Sequence, residues 1–169
     1  MMDRSSHRIL AVDVRPRKIG FVTLDQSGRM LDAATRKMKS VVVGETRFTW
    51  LIDTFRPSVI VLRKIRVTTT RYRPRTMVLQ RLIARLAHHR GIPVAFVGEE
   101  ELRAYFSIRR AGTKHEVATL LAKRFHELAW KLPEKRKIYD QEHWSMVVFD
   151  AAALGVSFLA REENKCTCG

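Results

Sequence analysis

The chain has 169 residues and a mass of 19.6 kDa, the size of one domain. It carries 32 Lys+Arg against 17 Asp+Glu, a net charge of +15, and 46% of its residues are hydrophobic. That excludes a disordered basic tail, because the apolar content is enough for a core, and no apolar run reaches the ~20 residues of a membrane helix. The charge, spread from Arg4 to Lys165, points to a polyanionic partner, with nucleic acid foremost and a membrane surface disfavoured. The N-terminus MMDRSSHRILAVDV lacks the apolar stretch of a secretion signal, so a cytoplasmic location is expected.

The first elements are short. Arg8–Asp13 (RILAVD) has the apolar run of a buried strand, and Ile19–Leu24 (IGFVTL) that of a second. Asp25–Gly28 is turn chemistry, and Met30–Met38 follows as a third strand. Together they predict an antiparallel meander. Phe48, Leu51, Ile52 and Phe55 predict a helix over Thr46–Phe55, stopped by Pro57. Val59–Leu62 is a β-branched run suited to a central parallel strand.

A basic stretch, Arg63–Arg75, then holds six cations and no acid. Leu79, Leu82, Ile83 and Leu86 predict an amphipathic helix over Met77–His89, with Gly91 at its end. Pro93–Val97 is a fifth strand and Glu99–Phe106 a short helix with acids in its first turn. Thr113 and Glu116 have capping-box spacing for a helix over Lys114–Leu128. Leu132–Lys137 is a linker, and a last helix is expected from Asp140 or Gln141 to Ala160. The order β-β-β-α-β-α-β-α-α-α predicts an α/β fold: a mixed five-stranded sheet with helices on both faces. Residues 1–161 form the expected single domain and 162–169 a polar tail. Cys166 and Cys168 in that tail are too few for a disulfide framework or a zinc site.

Two carboxylates stand out. Asp13 ends the first strand, where a buried acid needs a partner, a metal or a turn to cap. Asp150 lies among apolar residues in Met146–Gly155, where Asp is a poor helix former. Strand RILAVD followed by IGFVTLD, the strand after Pro57, Gly112-Thr113-Lys114 opening a helix, and Asp150-Ala151-Ala152-Ala153-Leu154 in the last helix resemble a RuvC-type crossover junction resolvase. The resemblance covers roughly residues 8–160. It implies a ribonuclease H-like fold, a homodimer, branched DNA as partner, and Mg²⁺ or Mn²⁺ held by acidic residues for phosphodiester cleavage.

Carried over residue by residue, the resemblance matches Asp13 and Asp150 to metal ligands. The strand-four position that should be Glu is Arg63, and the position one turn before Asp150 is Val147. The expected glycine-rich turn is Val14-Arg15-Pro16-Arg17-Lys18. A cation between Asp13 and Asp150 competes with a metal, since unit charges ~4 Å apart interact by about 4 kcal/mol at an effective dielectric of 20. Arg63 therefore has two placements open: bridging the acids and replacing the metal, or turning out to solvent or phosphate.

Glu142 or His143 could supply a displaced ligand, because Glu142, Met146 and Asp150 share one face of the expected helix. Two turns span about 10.8 Å, so Glu142 would need a bend or bridging water to share an ion with Asp150. The expected catalytic set is Asp13, Asp150 and Glu142. The expected metal ligands are Asp13 and Asp150, with no cofactor if the chemistry is lost.

The expected nucleic-acid contacts are Arg15, Arg17 and Lys18; Arg63, Lys64 and Arg66; Arg71, Tyr72, Arg73 and Arg75, where a stacking ring sits among cations; and Lys114 at a helix N-terminus, near Arg109 and Arg110. Three functions stay open: a branched-DNA binder with impaired cleavage, an active structure-selective endonuclease with a rearranged acidic site, and a basic scaffold for an acidic protein.

Overall fold

The computed structural model describes residues 7–66 and 74–167. Five strands form one sheet in the order β3-β2-β1-β4-β5. β1 (Arg8–Val14) pairs antiparallel with β2 (Lys18–Asp25), which pairs antiparallel with β3 (Met30–Lys37). β1 also pairs parallel with β4 (Val59–Arg63), and β4 with β5 (Val94–Val97). The meander and the two parallel strands are those read from the sequence.

Strand alternation sorts the core into two layers. Leu10, Val12, Phe21, Ile60 and Leu62 pack with α1 (Val41–Phe55) and α2 (Pro74–His89). Ile9, Ala11, Val22, Leu24 and Val61 pack on the opposite face with α3 (Glu99–Ser107), α4 (Lys114–Arg124), α5 (His126–Ala129) and α6 (Met146–Thr167). Leu79, Leu82 and Ile83 are buried, so the apolar stripe of α2 packs into the core.

Four boundaries differ from expectation by about four residues or more. α1 starts at Val41, not Thr46, with the Ser40 hydroxyl accepting from the Val43 amide. Val41 and Val42 face solvent, so the first turn lacks the amphipathic period. The helix expected to run to Leu128 breaks at Phe125, whose backbone is extended while its ring is buried. α6 begins at Met146, six residues after Asp140. Asp140 instead closes a turn, its Oδ2 accepting from the Lys137 amide at 2.9 Å. α6 continues to Thr167, so residues 162–167 add helical turns beyond the expected end at Ala160.

Glycine sets how α6 lies. Gly20 pairs with Asp13 across β1 and β2. A Cβ at Gly20 would sit 2.1 Å from the Val147 carbonyl oxygen, so only glycine lets the first turn of α6 rest on β2. α6 is buried on nearly all sides from Met146 to Leu159, with Asp150 its one charge there.

Candidate functional site

The strand register builds the site. Val12 pairs with Leu62, so the next residues, Asp13 and Arg63, stand side by side at the carboxyl ends of parallel strands. Both follow residues of the α6-facing set, Ala11 and Val61, by two positions, so both face α6. Arg63 pairs with Val97, and Glu99 follows just after β5. The three parallel strands therefore present a carboxylate, a guanidinium and a carboxylate in a row. Carboxyl ends of parallel strands are where open α/β sheets place their sites. α6, seated on Gly20, brings Asp150 over that row.

The acids are closed by cations. Arg63 Nε donates to Asp13 Oδ1 at 2.9 Å, its Nη1 to Glu99 Oε2 at 2.9 Å, and its Nη2 lies 3.8 Å from Asp150 Oδ1. Arg15 reaches the same pair, Nε to Asp13 Oδ2 at 2.8 Å and Nη2 to Asp150 Oδ2 at 2.7 Å. Lys114 Nζ donates to Glu142 at 2.6 Å and lies 3.6 Å from Asp150 Oδ2. Asp13 is 1% exposed, and both its oxygens are bound to arginine.

Burial works against the guanidinium charges, yet Asp13 and then Asp150 outweigh it and hold Arg15 and Arg63 above the ordinary arginine range. Burial, with the like charge of Asp13, pushes the Asp150 carboxyl up against the pull of Lys114, Arg63 and Arg15. For Glu142, burial raises the carboxyl, but the hydrogen bond and charge of Lys114 bring it below the ordinary glutamate range.

This donor set does not fit a divalent ion. A metal needs carboxylate oxygens converging on one empty centre. Here the facing oxygens of Asp13 and Asp150 are spanned by two planar guanidiniums, which cannot give up their charge by losing a proton. Glu142, one of the two residues read as a possible displaced ligand, precedes α6 and is drawn to Lys114. Among the described residues no group of three or more His, Cys, Asp or Glu could hold a metal. His143 turns to Ser145, its Nδ1 2.8 Å from the hydroxyl.

The chain has the ribonuclease H-like fold of the RuvC-type resolvases. Thermus thermophilus RuvC in complex with a Holliday junction substrate superposes with a TM-score of 0.65 at 16% identity, over 92% of this chain and 96% of that one. The yeast mitochondrial Holliday junction resolvase matches at 0.67 and 14% identity, over 96% and 84%. The fowlpox virus Holliday junction resolvase matches at 0.58 and 13%, over 91% and 99%. No protein-family model matches the sequence, and no curated protein matches it.

On this RuvC-like fold a cleft of about 650 Å³ opens above Asp13, and only some of the remaining expected contacts line it. Arg17 and Lys18 line it, with Lys18 Nζ 3.5 Å from the Trp144 carbonyl oxygen. Lys64 is exposed, and Arg66 pairs with Glu100. Arg75 donates to the Met38 carbonyl at 2.9 Å. Arg109 lies 3.6 Å over the Tyr105 ring. Arg71, Tyr72 and Arg73 lie outside the described residues.

Sequence reasoning missed two members of this site and the role of a third. Arg15, expected on phosphate, turns its side chain to the acids, as Arg63 does. Glu99 reads as a helix-dipole residue yet binds Arg63. Trp144 lines the cleft beneath the Lys18 and Lys37 ammoniums, 5.2 and 5.8 Å from its ring. The strand-end positions of Arg63 and Glu99 were the available signal for that pair.

Proposed function

We propose that this chain binds branched DNA on a resolvase fold and has exchanged metal-dependent cleavage for an internal salt-bridge centre. The observation that carries this is the Arg63 guanidinium, bound to Asp13 and facing Asp150. With Arg15 it supplies the countercharge that divalent ions would otherwise supply. Asp13, Asp150 and Glu142 are then structural acids, and Arg15, Arg63 and Lys114 their partners rather than phosphate contacts. Phosphates fall to Arg17 and Lys18 in the cleft and to Lys64, Arg66, Arg71, Arg73 and Arg75 of the basic stretch, with the Tyr72 ring for stacking. A homodimer matches the two-fold symmetry of a four-way junction. The net charge of +15 and the likeness to junction-bound RuvC support DNA over an acidic protein.

The test measures binding of the purified chain to a four-way junction and to linear duplex of the same sequence, near physiological salt, with cleavage followed in Mg²⁺ and in Mn²⁺. The expected result is preference for the junction and intact strands. Strand cleavage that Asp13→Asn abolishes would establish the rearranged endonuclease instead. Equal or absent binding to both DNAs would turn the assignment toward a protein partner.

A further inference from the structure

The segment between α5 and α6 carries a feature that the salt-bridge centre does not use. Lys137 and Asp140 close a turn: the Asp140 amide donates to the Lys137 carbonyl at 3.1 Å, Asp140 Oδ2 accepts from the Lys137 amide at 2.9 Å, and Arg136 Nη1 donates to the Asp140 carbonyl at 2.9 Å. The two central residues are Ile138 and Tyr139, which are 103% and 80% exposed. Central turn positions favour Gly, Pro, Asn, Asp and Ser, while Ile and Tyr favour strands. Single exposed apolar residues are ordinary. Two in a row, held outward on a hydrogen-bonded turn, need another reason.

Two neighbouring observations supply it. Lys135, Arg136 and Lys137 lead directly into the tip, so the apolar pair approaches a surface together with cations. Gln141, two residues beyond Tyr139, lines the cleft above Asp13. Two residues of chain reach at most about 7 Å, so the tip stands at the cleft rim. Apolar side chains carried to DNA beside cations act as wedges that part a base step, at a cost of about a few kcal/mol, offset by the contacts the opened DNA makes.

We infer that the Ile138–Tyr139 turn is a wedge that enters an unstacked base step at the branch of the DNA, with Lys135, Arg136 and Lys137 on the flanking phosphates. This rests on the branched-DNA reading above. Because both side chains are outside the core, Ile138→Ser/Tyr139→Ser leaves the fold intact, which an unchanged melting temperature verifies.

The experiment uses the full chain and a four-way junction with 2-aminopurine at the crossover, whose fluorescence rises on unstacking. The wild type is expected to brighten the probe. The double variant is expected to bind within about tenfold, with the same salt dependence, because phosphate contacts supply most of the affinity. It should leave the probe dark. A variant that brightens it as the wild type does overturns the wedge and leaves junction binding standing. So does a wild type that binds without brightening, an outcome that leaves protein docking as the use of the tip. Failure of the wild type to bind any junction removes both inferences.

Discussion

Two cationic regions of this molecule use the same residue types to opposite ends. At the carboxyl ends of β1 and β4, Arg15 and Arg63 are consumed internally, each bridging Asp13 and Asp150. In the segment before α6, Lys135, Arg136 and Lys137 are exposed around an apolar tip. The first region is closed and structural, and the second is open to a partner. Net charge alone cannot distinguish them, and the position of the carboxylates does. Where the fold brings two acids under the cations, the charge is spent in the core, and where the neighbouring acids, Glu134 and Asp140, stay on the surface, it remains available outside.

The sharpest way to break this contrast is Asp13→Ala. Removing one partner of a buried ion pair costs about 3–5 kcal/mol, so chemical denaturation should show a loss of that size. A loss below about 1 kcal/mol would mean that Arg15 and Arg63 relax to solvent and that the region is not closed. Next, Gly20→Ala should destabilise by about 1–3 kcal/mol or more, because its Cβ meets the Val147 carbonyl oxygen and lifts Asp150 off the arginines. A melting temperature equal to wild type would sink that account.

In the open region, Lys135→Ala/Arg136→Ala/Lys137→Ala should leave stability within about 0.5 kcal/mol. It should flatten the salt dependence of DNA binding by about 0.9 in log–log slope for each phosphate contact removed. An unchanged slope would remove these residues from the interface.

The smallest effect joins the regions. Glu142, from the open segment, pairs with Lys114 beside Asp150. Its carboxyl titrates below its ordinary 4.5 when folded, so its contribution is present above that value and fades as pH falls through the folded one. Glu142→Gln should therefore reduce stability by under about 1 kcal/mol at pH 7, and the difference from wild type should vanish in acid.

Much of this was legible in the residues. The apolar strands, Pro57 and the Thr113–Glu116 box carry local signals that survive folding. Arg63 was expected near Asp13 only through the resemblance, which puts a ligand position at the end of strand four, and its direction stayed open without the pairing of β4 with β1. The start of α6 was not. Asp140 and Glu142 suit a helix N-terminus by dipole, but the Asp140 carboxylate accepts from the Lys137 amide in a turn instead. Arg15 is two residues from Asp13, and nothing local distinguishes a side chain folding back from one pointing out. Its direction depends on Asp150, 135 positions away, arriving from above.

The guanidinium of Arg63 has one more consequence. A carboxylate centre neutralised by dissolved ions is only as filled as the surrounding ion concentration allows, and chelators empty it. Here the neutralising charges belong to the chain itself, so their local concentration is constant under all ionic conditions. The melting temperature should be the same in EDTA as in millimolar magnesium.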